Sequence, residues 1–190
     1  MAKNIYMVYL CDVLGCVPRD ALLPINIKLQ SFFEKILAAQ KTSFQSVIVH
    51  WLAYQPTPEP NELLLYFVPD RSLSVAKEAG GPEGGSGDGF TWWQDSVGAV
   101  SEVYTSKTTG AEMLALVGFH ELMHNKLRLR DAQLHPKGGL ASDPVSGGAP
   151  SAGNVRDMAA ALSRAAPQWA QGVSKMAYGR SDPLSRYYTI

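Results

Sequence analysis

The hydrophobic positions follow two different periods along the chain. Between Leu22 and Ala39 the apolar residues Ile25, Leu29, Phe32, Phe33, Ile36 and Leu37 recur at helical spacing, which predicts a helix with one face toward a core. Shorter apolar runs lie at Ile5 to Leu10, Ser46 to Leu52 and Glu62 to Val68, the last ended by Pro69-Asp70. Their length and turn punctuation predict buried strands. Val97 to Thr105 reads as a fourth strand, with Val100, Val103 and Tyr104 as its better strand formers. Pro56 to Pro60 is a predicted turn.

Thr109-Gly110-Ala111-Glu112 has the form of a capping box, and a predicted helix runs from it through Met113, Leu114, Leu116 and Val117 to His124. Asn154 to Ala165 reads as an Ala-rich helix, with a further helical piece from Pro167 to about Val173. Two glycine-rich stretches, Gly80 to Gly89 and Gly138 to Gly153, interrupt these elements. The first is expected to be an exposed loop or flap, because glycine resists ordering and no lysine follows at phosphate-loop spacing. No internal repeat is visible. The order strand, helix, strand, strand, strand, long helix predicts an α+β or α/β fold: a twisted mixed sheet of about four strands backed by helices, in one domain over residues 1–190.

Composition narrows the partners. Lys and Arg total 17 and Asp and Glu total 17, so no net charge points to nucleic acid or a membrane surface. The nearest basic run, Lys126, Arg128 and Arg130, alternates with Leu127 and Leu129 and reads as the solvated face of a helix end. Cys11 and Cys16 read as small buried hydrophobes; a disulfide between them stays open, and without a second pair they form no zinc knuckle. The N-terminal run reads as a strand rather than a signal peptide, and nothing approaches the ~18 apolar residues of a membrane span. The expectation is a chain cytoplasmic as synthesised, with any export by a route independent of an N-terminal signal.

The candidate chemistry sits in His120-Glu121-Leu122-Met123-His124. Two histidines four apart on a helix put both imidazoles on one face, within reach of one ion, and neutral imidazole suits Zn²⁺. Glu121 is poorly placed as a ligand, but it can hold a metal-bound water and take its proton. A catalytic zinc usually has a third protein ligand and an open position. The candidates for that ligand are His135, Asp131, Asp143 and Asp157. An unbroken helix would carry Asp131 and His135 too far along its axis, ~10 and ~16 Å at ~1.5 Å per residue. A chain that turns back after Asn125, a tolerable left-handed terminus, returns His135 to the metal. Ligand softness and the surrounding loop favour His135. His50, in an apolar strand beside Trp51, reads as a sheet or core histidine. Trp92-Trp93 read as a flap anchor or a hydrophobic substrate subsite.

At His120-Glu-Leu-Met-His124 the sequence resembles the zincin metallopeptidases. That resemblance implies a zincin-like fold and an edge strand at the cleft, here Val97 to Thr105, that pairs with an extended polypeptide substrate. The glutamate that one zincin subclass uses as third ligand has no counterpart, since Glu121 is the last glutamate in the chain. Ser174-Lys175-Met176-Ala177-Tyr178 resembles the Met-turn of metzincins, and Leu134-His135-Pro136 resembles the end of their zinc motif. The resemblance implies Met176 beneath the ligands and a catalytic Tyr178 that stabilises the oxyanion or completes the resting coordination. Leu127 stands where the metzincin motif has glycine, and the third histidine comes eleven residues after the second rather than six. The expected function is a zinc endopeptidase with one catalytic Zn²⁺, made without a long pro-segment. The rival expectations are a binding module stapled by zinc and a zinc amidase acting on a non-protein amide.

Overall fold

The structure, a computed structural model, describes residues 5–12, 14–39, 44–52, 62–78, 84–85, 87–94 and 98–162. Among the described residues five strands form one sheet in the order β2-β1-β3-β5-β4: β1 (Ile5–Cys11), β2 (Ser46–Leu52), β3 (Glu62–Val68), β4 (Gly89–Gln94) and β5 (Gly98–Tyr104). Four of the strands run parallel, and β4 is antiparallel to β5. The helices are α1 (Arg19–Ala39), the single turn α2 (Val75–Glu78), α3 (Ala111–Leu127), the short α4 (Asp131–Leu134) and α5 (Ala152–Leu162). The architecture is mixed α/β with a mostly parallel sheet. Among the described residues no helix is long and apolar enough to cross a membrane.

β3 explains why the sheet is central. Its sequence is a continuous apolar run because both of its faces are buried. Leu63, Leu65 and Phe67 join the large core beneath α1, α3 and α5, while Leu64, Tyr66 and Val68 join a second core with Val75, Ala76 and Tyr104 on the other face. α3 is buried from Leu114 to Lys126 with no wet face, as expected of a helix that is apolar all round. It lies close to the sheet at Gly118, where an added Cβ would stand 2.6 Å from Leu65 Cδ2.

Several expectations change here. The strand at 98–104 is interior, bonded to β3 on one side and β4 on the other, so the cleft edge belongs to β4. The glycines before Phe90 concealed that strand, and buried Ser101 and Glu102 obscured the alternation of β5. The capping box at Thr109 does not form. Gly110 is the cap, with φ 82° and no side-chain bond, and Glu112 instead pairs with Lys28 Nζ at 2.9 Å. α3 passes through Asn125 and ends at Arg128, which adopts the left-handed conformation at φ 56°. Arg128 and Arg130 are exposed, but Lys126 is buried, its Nζ 5.2 Å from the centroid of the Tyr6 ring. A long aliphatic stem lets lysine lie against an apolar body in this way. Cys11 and Cys16 are free thiols.

Candidate metal centre

α3 supplies the first two imidazoles. His120 Nδ1 lies 2.8 Å from the Leu140 carbonyl, and His124 Nδ1 lies 2.6 Å from the Leu129 carbonyl. A carbonyl only accepts, so each Nδ1 must carry the proton and each Nε2 must present a lone pair. These two Nε2 atoms face each other at 3.1 Å. Two lone pairs cannot hydrogen-bond to each other. Two nitrogens ~2.05 Å from one ion at a tetrahedral angle would stand about 3.3 Å apart.

The carbonyls are held by the chain that follows. The left-handed turn at Arg128 brings Leu129 back under His124. Leu140 sits in a 3₁₀ turn fixed by the buried Asn154 of α5, whose Oδ1 accepts from Leu140 N at 3.1 Å and whose Nδ2 donates to the Gly138 carbonyl at 3.1 Å. Sequence reasoning missed Asn154, because nothing in an Ala-rich helix marks one asparagine as a support for a distant histidine.

The same turn returns His135 to the site. It follows α4, and its ring centroid lies 5.3 Å from that of His120 and 5.4 Å from that of His124. One ligand atom from each of the three histidines lies within 4.8 Å of the others. His135 Nε2 is buried without a hydrogen-bond partner, and a buried nitrogen with no donor or acceptor of its own beside two facing lone pairs is a donor set of the kind that suits a divalent cation. The residues therefore fit a divalent ion.

The other candidates separate cleanly. Asp131 Oδ1 is 3.8 Å from the Nε2 atoms of both His124 and His135, at the rim of the cluster. Asp143 lines the cleft. Asp157 is engaged elsewhere, 2.8 Å from Lys137 Nζ. His50 is exposed on β2, at the opposite edge of the sheet. Met176 and Tyr178 lie outside the described residues, as does the helical piece expected from Pro167.

Burial holds His120 at about 4 and pushes His124 down as well, so both rings are neutral near pH 7. The same burial raises Glu121 to about 8, against the lowering effect of a hydrogen bond from Thr91. Glu121 Oε2 takes that bond from Thr91 Oγ1 at 2.6 Å. Its Oε1 lies where a side chain on Gly89 would stand, 2.7 Å from the Cβ position. The cleft above them holds about 730 Å³, within the range of ligand sites, and β4 forms one wall with Phe90, Trp92 and Trp93.

No protein-family model, curated protein or solved structure matches the chain. The chemistry of the cleft thus rests on its own geometry.

Proposed function

We propose that the chain is a zinc-dependent endopeptidase whose ion is held by His120, His124 and His135 and whose proton acceptor is Glu121. The observation that carries this reading is the convergence of three imidazole nitrogens, one of them buried and unpartnered, beside a buried carboxylate in an open cleft. His120, His124 and His135 would hold the Zn²⁺, which when bound would supply a Lewis acid for a carbonyl oxygen and lower the pKa of water toward ~7. Glu121 takes the proton of the attacking water as the new C–O bond forms. It then delivers that proton to the amine as the C–N bond breaks. His120 and His124 stay neutral throughout, their Nδ1 protons fixed on carbonyls.

A polypeptide suits the cleft because β4 pairs only with β5 among the described residues. Among the described residues no strand pairs with its second edge, which leaves main-chain groups for an extended chain. This supports the zincin resemblance, with β4 rather than β5 as the strand that receives substrate.

Metal analysis with fluorescein-labelled casein tests the proposal. The expected result is one zinc per chain, casein hydrolysis that a chelator stops, and loss of zinc in His135→Ala. Zinc bound without hydrolysis of casein would instead favour a zinc-stapled module. Full zinc affinity in His135→Ala would remove that residue from the ligand set.

A further inference from the structure

Glu121 is tied to the sheet by groups that no part of the metal motif contains. Thr91 on β4 stands directly opposite Ser101 on β5, and the two hydroxyl oxygens are 3.1 Å apart. Asn125, one residue past His124 on α3, donates from Nδ2 to Ser101 Oγ at 3.0 Å. Thr91 has one proton and three acceptors within reach: Ser101 Oγ at 3.1 Å, the Glu121 main-chain oxygen at 2.9 Å and Glu121 Oε2 at 2.6 Å. With Glu121 ionised, as a proton acceptor must be, the shorter bond, to the carboxylate oxygen, takes it. Ser101 already accepts from Asn125, so its own proton is free for Thr91 Oγ1 or for the Glu121 carbonyl at 3.3 Å. The contacts form a chain from Asn125 through Ser101 and Thr91 to Glu121, whose last link is one carboxylate oxygen.

That link leaves the two oxygens of Glu121 unequal. Oε2 is fixed, whereas Oε1 has no hydrogen bond among the described residues and packs against Gly89, whose missing side chain gives it room, in a residue that lines the cleft. We infer that Thr91 is a positioning residue: it holds Oε2 so that Oε1 is the oxygen presented to water, with Ser101 and Asn125 holding Thr91. The inference rests on Glu121 being the proton acceptor. It assigns the cleft strand a part in catalysis beyond the binding of substrate.

The test compares Thr91→Val, which keeps the shape and removes the hydroxyl, with Thr91→Ser, which keeps the hydroxyl. With fluorescein-labelled casein, Thr91→Val is expected to lose about 10–100-fold in kcat with KM and zinc content unchanged. Thr91→Ser should recover to within about threefold of the parent, which a purely packing role would not produce. The second readout needs neither zinc nor activity. In chelator, urea unfolding of the parent, Thr91→Val, Glu121→Met, whose side chain offers the hydroxyl no oxygen, and the double variant closes a cycle, and coupling of on the order of tenfold in the folding equilibrium constant is expected. Thr91→Val with parental kcat, or a cycle without coupling, would overturn the assignment. A parent that never cuts casein would sink the endopeptidase reading instead, and the cycle would still judge the Thr91 contact.

Discussion

β5 carries two regions on its opposite faces, and each contains a buried glutamate. On one face Glu102 accepts from Ser74 Oγ at 2.6 Å, Tyr104 Oη at 2.7 Å, Val75 N at 2.8 Å and Ala76 N at 3.5 Å. On the other, Ser101 leads to Glu121, whose side chain receives a single bond from Thr91. Burial raises both carboxyls. The difference lies in what remains free. Glu102 is surrounded by donors and ties the start of α2 to the sheet, so it has no capacity left for a reacting molecule. Glu121 keeps one oxygen uncommitted at a cleft beside three imidazoles. A buried carboxyl with every acceptor site used suits a structural anchor, whereas one with an uncommitted oxygen at a cleft suits the proton acceptor proposed above.

The largest expected effect separates the two in activity. Glu121→Gln should lower casein hydrolysis by about 10²–10⁴-fold while zinc content is unchanged, as for the loss of a general base. Glu102→Gln should leave kcat within a few-fold of the parent. Equal losses in two folded, zinc-loaded variants would show that saturation by donors does not distinguish the two glutamates.

Next is Gly89, which serves both regions. A Cβ there would stand 2.7 Å from Glu121 Oε1 and 2.8 Å from the Glu102 main-chain oxygen, and the main chain cannot yield as a side chain can. Gly89→Ala is expected to cost about 1–3 kcal/mol by overcrowding and about 10²-fold in casein hydrolysis by displacing the carboxylate. Parental kinetics in Gly89→Ala would mean that Glu121 needs no such room. A smaller effect, confined to stability, belongs to Glu102. Replacing it with Gln leaves an oxygen for the Val75 and Ala76 main-chain donors but sets an amide N–H against the Ser74 and Tyr104 hydroxyls, which must turn to accept, at an expected cost of about 1–2 kcal/mol in urea unfolding. A cost below about 0.5 kcal/mol would remove its role as an anchor.

These two regions were unequally legible in the sequence. The pair His120 and His124 could be read directly, because helical spacing alone places two rings on one face. His135 could be reached by arguing that the helix must end, though the turn falls at Arg128 rather than Asn125. A non-glycine left-handed residue carries no strong local signal. β1, β2 and β3 were visible as apolar runs. β4 was not, since Phe90 to Trp93 follow a glycine-rich stretch whose composition predicts a loop. Glu102, Thr91, Ser101 and Asn154 stayed hidden for a common reason. Each acts through a partner distant in the chain, and a polar residue in a strand or helix looks solvent-facing until its partner is known.

The smallest expected effect is a dependence on pH in the metal-free protein. Glu121 titrates at about 8 when folded, against 4.5 for an unburied carboxyl. The folded state therefore holds this proton more tightly than the unfolded chain. Stability from that source is complete below about pH 4.5 and is lost as pH rises through 8. Glu121→Gln cannot suffer this loss, so its urea midpoint relative to the parent should climb between pH 5 and 8 and then level off. His120, held at about 4 against an ordinary 6.5, acts in the opposite sense, with stability lost as pH falls. It is present in both proteins and cancels from the difference. Zinc should flatten the climb, because a neighbouring dication keeps the carboxylate ionised at lower pH. For Glu102→Gln the climb should be shallower even without zinc, since the donors around Glu102 oppose the effect of its burial. Equal slopes for the two glutamates would mean that hydrogen bonds do not set them apart, and the vacant oxygen of Glu121 would lose its significance.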